Sequence, residues 1–76
     1  MKTGEFLAKL SEILGANGPV TPDTQLSSLP GWDSMGMVAV LSLIDESVGA
    51  TLPRGSLQKC ERVGDILVLV KSHLSE

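Results

Sequence analysis

Between Gly15 and Gly31 the chain carries Pro19, Pro22 and Pro30 together with three glycines. No long helix can run through such a segment, because proline removes a backbone donor and glycine is costly to order. The chain is thereby split into a periodic stretch before it and others after it. A connection of this length without structure of its own is either functional or disordered. Leu26 and Leu29 are spaced as anchors that pin it to a core, which favours an ordered, functional loop.

On the N-terminal side, Phe6, Leu7, Leu10, Ile13 and Leu14 follow one stripe of a 3.6-residue period. This predicts a helix from Thr3 to Leu14, with Thr3 as N-cap and Gly15 in the left-handed position that ends it. Past the loop, Asp33 or Ser34 opens a second helix whose inward face is predicted to be Met37/Val38, Leu41, Ile44 and Val48. Met35, Val40 and Leu43 fall away from that stripe, so part of this wide apolar arc is expected to serve something other than the core. Gly49 ends the helix, and Pro53 lies beyond it. After a turn through Arg54 and Gly55, Ser56 to Cys60 allows one short helical turn. Val63, Ile66, Leu67, Leu69, Val70 and Leu74 then form the last helix, with Lys71 and His73 near its C-terminal dipole. The expected fold is all-α: a single domain over 1–76, built as a small antiparallel bundle of three main helices and one short one, with the long loop between the first two. Val38, Leu41, Ile44, Val63 and Leu67 are expected to line its core.

Composition narrows the function. A chain of 76 residues is short for an enzyme with a large cleft of its own. A net charge of −3 without a basic stripe argues against nucleic acid as partner. The single cysteine, Cys60, cannot form an internal disulfide and reads as a small buried hydrophobe. Neither a signal peptide nor a run of eighteen apolar residues is present, so a cytoplasmic monomer away from the membrane is expected.

Catalytic and ligand motifs fail one by one. Ser34, Asp33 and His73 supply the residue types of a hydrolase triad, but Asp33 abuts Ser34 and no strand or elbow glycine precedes the serine. Gly31 and Gly36 have the spacing of phosphate-loop glycines, yet Met37-Val38 stands where Lys-Ser/Thr is required. Cys60 and His73 are each alone, so no metal cluster is indicated. What remains is a serine at the mouth of a helix with an aspartate before it. One reading makes Ser34 an N-cap. The other makes its hydroxyl the site of a phosphate ester, favoured by the unpaired N–H groups and positive dipole of a helix N-terminus.

The run Thr21-Pro22-Asp23-Thr24-Gln25-Leu26-Ser27-Ser28-Leu29-Pro30-Gly31-Trp32-Asp33-Ser34-Met35, the apolar helix to Val48, and Thr51-Leu52-Pro53 together resemble the acyl carrier protein family. Asp33-Ser34-Met35 is similar to that family's Asp-Ser-Leu motif, and Val63-Gly64-Asp65-Ile66 matches the opening of its last helix. The resemblance implies a four-helix bundle and no catalysis by the chain itself. It implies Ser34 modified with 4′-phosphopantetheine by a phosphopantetheinyl transferase using coenzyme A. The arm's thiol would carry acyl groups as thioesters between loading and condensing enzymes of fatty acid, polyketide or related biosynthesis. Asp33 would help dock the transferase or lie beside its metal. Two alternatives stand beside this reading: an aminoacyl or D-alanyl carrier, to which Asp33-Ser34-Met35-Gly36 is also similar, and an unmodified helical interaction module.

The chain departs from the family in its charges. Residues up to Pro53 hold two lysines and six acids, while from Arg54 onward four basic residues face three acidic ones. The second helix offers only Asp45 and Glu46 after its start. Its partner surface is therefore expected to be more apolar than usual, made by Met35, Met37, Val40, Asp45, Glu46 and Arg54, and generic fatty-acid synthase enzymes are expected to bind it poorly. Trp32 is expected to pack on the loop, and Gly36 departs from helix preference by about 1 kcal/mol.

Overall fold

A computed structural model describes residues 1–52 and 55–75. Three α-helices carry the fold: α1 (Thr3–Ile13), α2 (Ser34–Leu43) and α3 (Val63–Val70). A π turn, Ile44–Val48, continues α2, and 3₁₀ turns occupy Leu26–Ser28, Leu57–Lys59 and Lys71–His73. No strand occurs among the described residues, only isolated bridges between Lys2 and Ser75 and between Gln25 and Arg62. The short fourth helix expected at 56–60 is a single 3₁₀ turn. No helix among the described residues is long and apolar enough to cross a membrane.

Helix α1 buries the stripe its spacing announces, with Phe6, Leu10 and the following Leu14 fully enclosed. Its N-cap is Lys2, not Thr3. The Thr3 N–H and hydroxyl both donate to the Ser75 carbonyl, at 2.7 and 3.1 Å, and the Ser75 N–H returns to Met1 O at 3.0 Å. A threonine engaged with the far end of the chain has no hydroxyl left to cap its own helix. Left-handed glycines stand after α1 at Gly15 and after the π turn at Gly49, with φ of 67° and 81°, as the sequence predicts.

The long connection is tied down by its backbone as well as by its leucines. Val20, Leu26 and Leu29 are buried, and Trp32 packs partly buried against the same core. Its carbonyls also receive the first N–H groups of α3: Val63 N–H donates to Thr24 O at 2.9 Å and Gly64 N–H to Pro22 O at 2.8 Å. In return Leu26 N–H donates to Glu61 O at 2.9 Å. These bonds settle the polar backbone of a segment that could not otherwise sit against a core.

Helix α2 faces the core differently from expectation. The buried positions are Gly36, Val40, Leu43 and then Ile44, whereas Val38 is 60 % exposed. Val40, assigned above to the partner surface, is fully buried, and Val38, assigned to the core, is on the surface. The cause is that α2 is apolar almost all round, so periodicity could not choose its inner face. Met37, Leu41 and Val48 flank the buried stripe, half-covered. In α3, Val63, Ile66 and Val70 are buried, while Leu67 lies partly buried at the edge. Cys60 is buried, and that burial, with the nearby Asp65 charge, pushes its thiol up from the ordinary value.

Candidate functional site

The site is built where the loop turns into α2. Asp33, in extended conformation with φ of −144° and ψ of −170°, is the N-cap. Its Oδ1 accepts the Gly36 N–H at 2.8 Å, and its carbonyl accepts the Met37 N–H at 2.9 Å. Capping thus belongs to Asp33. Ser34 is the first residue of the helix proper and is exposed, and its hydroxyl has no hydrogen-bond partner among the described residues. The N–H groups of Ser34 and Met35 likewise find no acceptor among the described residues, which leaves donors and the positive end of the helix dipole beside that hydroxyl.

Ser34 also stands at the rim of an open groove of about 470 Å³, walled by Met37, Val38, Leu41, Gly55, Leu57 and Gln58. The groove is mainly apolar, with Gln58 as its polar wall. Met35, the residue after Ser34, projects outward and is 80 % exposed. Met35 and Val38, three apart, therefore form one apolar outer face beside the serine. Asp45 and Glu46 are exposed on the π turn at the other end of α2, roughly 17–18 Å along the axis from Ser34 at 1.5 Å per residue. Of the expected partner surface, Met35 and Met37 lie beside Ser34; Val40 points into the core; Asp45 and Glu46 stand apart; Arg54 lies outside the described residues. Among the described residues no three His, Cys, Asp or Glu side chains gather as metal ligands.

Two participants escape the sequence reading. Gly55 and Gln58 reach the groove from the segment before α3, a tertiary approach that no local pattern announces. Gly36 owes its place to steric need: a Cβ there would collide with the Gly31 carbonyl oxygen. The pair's spacing, which imitates a phosphate loop, is the mark of this contact.

No family model and no solved structure matches the chain. A curated relative does: the acyl carrier protein MbtL of Mycolicibacterium paratuberculosis (strain ATCC BAA-968 / K-10) is 35 % identical over 75 residues, which span 97 % of this chain and 84 % of the relative. Near-complete coverage at that identity, on an all-helical fold with Asp-Ser at the mouth of α2, establishes that the chain belongs to the acyl carrier protein family.

Proposed function

We propose that Ser34 carries a 4′-phosphopantetheine arm and that the chain is a non-catalytic shuttle, one domain over 1–76 with the family's four-helix bundle. The observation that carries this reading is the division of labour at α2: Asp33 caps the helix through Gly36 N–H, so the Ser34 hydroxyl is left exposed and without a hydrogen-bond partner among the described residues. In the attachment step the Ser34 oxygen attacks the phosphorus of coenzyme A that bears the pantetheine, a phosphodiester forms, and 3′,5′-adenosine diphosphate leaves. The hydroxyl proton passes to the transferase. The free amides of Ser34 and Met35 suit the charge of that phosphodiester.

Once attached, the arm supplies a thiol that holds acyl groups as thioesters. The chain's own contribution is to present the serine, to raise the local concentration of cargo at successive enzymes, and to offer an apolar groove beside the arm's root. The relative's name supports acyl rather than aminoacyl cargo. Loading and condensing enzymes of fatty acid, polyketide or related biosynthesis are the proposed partners in the cytoplasm. They would read the apolar face of Met35 and Val38.

Incubating the chain with coenzyme A and a broad-specificity phosphopantetheinyl transferase should raise its intact mass by one phosphopantetheine. Ser34→Ala should abolish the rise. A chain that several transferases leave unchanged in mass would sink the reading.

A further inference from the structure

The glycines on either side of Ser34 form a seat in which three pieces of backbone stack without side chains between them. The Gly31 N–H donates to the Leu14 carbonyl at 2.9 Å, and a Cβ on Gly31 would meet Leu14 Cα, C and O at 2.9 Å each. On the opposite side the Gly31 carbonyl accepts the Asp33 N–H at 3.0 Å and rests on Gly36. A Cβ on Gly36 would run into that oxygen and come within 3.3 Å of Leu14 Cδ2. Gly36 also donates its N–H to Asp33 Oδ1 at 2.8 Å. The residue immediately before Ser34 is therefore held twice, through its N–H by the carbonyl that lies on Gly36 and through its carboxylate by Gly36 itself. Because the obstacle at Gly36 is backbone, it cannot swing aside as the end of a long side chain would.

We infer that Gly36, seated against Gly31, is a positioning residue for arm attachment: it fixes the Asp33–Ser34 peptide and so the place at which a transferase finds the Ser34 hydroxyl. This rests on the reading of Ser34 as the attachment site. A methyl group at position 36 drives the Gly31 carbonyl away, slackens both bonds to Asp33 and lets Ser34 turn on the end of its helix. Transfer between two bound groups is sensitive to such movement, and a displacement of about 1 Å can cost on the order of a hundredfold in rate.

The test is the steady-state kinetics of arm transfer from coenzyme A onto the full chain, with rates normalised to the folded fraction measured by circular dichroism. Gly64→Ala is the control at the other helix start, where a Cβ would meet the Pro22 carbonyl oxygen at 2.9 Å, a milder collision of the same kind. Gly36→Ala is expected to lose about tenfold or more in kcat/KM, mainly through kcat, and to lose hydrogen-exchange protection at the residue 36 amide. Gly64→Ala should stay within about twofold of wild type. Wild-type kcat/KM in folded Gly36→Ala, or an equal loss in Gly64→Ala, would overturn the inference. Should Gly36→Ala not fold, Gly31→Ala, whose clash is softer, carries the same two outcomes. A wild-type chain that accepts no arm overturns the attachment reading and this one with it, whereas normal modification of wild type and Gly36→Ala alike overturns only the role given to the seat.

Discussion

Helices α2 and α3 begin in nearly the same way and end up with opposite characters. Each follows a loop, each has an aspartate in its first turn or just before it, and each has a glycine pressed against a loop carbonyl, Gly36 on Gly31 and Gly64 on Pro22. At α3 every early donor is taken: Val63 and Gly64 N–H go to Thr24 and Pro22 carbonyls, Asp65 N–H to Arg62 O, and the Asp65 carboxylate accepts the N–H groups of Glu61 and Arg62 at 2.9 and 3.0 Å. At α2 the cap satisfies Gly36 and leaves the N–H groups of Ser34 and Met35 without an acceptor among the described residues. A helix start that the fold has sealed serves architecture. One left open beside an exposed hydroxyl can serve chemistry.

That contrast can be broken at several points. The largest effect is expected at Leu26, fully buried at the centre of the segment that seals α3. Leu26→Ala should cost about 2–5 kcal/mol in a denaturant titration, a large share of what a domain this small has. A loss well under about 1 kcal/mol would mean that the loop is not a structural member. At the open end, Asp33→Ala should lower stability by about 1 kcal/mol and Ser34→Ala by no more than about 0.5 kcal/mol, compared in the same titration. The reverse order would give the cap to Ser34 and remove the division of labour between the two residues.

The smallest effect is a pH dependence at Asp65. Its carboxyl is held below the ordinary value of 3.8 by the Glu61 and Arg62 backbone N–H bonds, with the Arg62 charge a lesser cause. The folded state thus binds that proton less readily than the unfolded one. The resulting stabilisation is present above 3.8 and is lost as pH falls through the folded-state value. Asp65→Asn should flatten this part of the stability profile between neutral and acidic pH. The contribution is small because the group is solvent-exposed, and an unchanged profile would show that the seal of α3 does not depend on the carboxylate.

Much of this was legible in the residues. The stripe of α1 and the glycines after it follow from local period and backbone preference, and Ser34 stands out by its position after a proline-glycine loop. The inner face of α2 was not legible, because Met35, Val38, Val40 and Leu43 distribute apolar surface around the whole helix. The buried side is the one that carries Gly36 against Gly31 and Val40, Leu43 and Ile44 in the core, contacts that are tertiary. Asp33 and Ser34 are both good capping residues, so sequence could name the cap only as one or the other. The pairing of Thr24 and Pro22 carbonyls with α3 joins segments far apart in the chain and leaves no trace in either one.

The burial of Cys60 bears on the chemistry of the cargo. Thioesters pass readily to any accessible thiolate, and a carrier that displayed one of its own would drain its load onto a dead end. With the residue 9 % exposed, its proton held more tightly than usual and its S–H directed at the Ser56 carbonyl 3.6 Å away, Cys60 is a poor nucleophile. On the proposed arm-bearing chain, thiol-directed reagents should therefore label the arm and leave the scaffold silent.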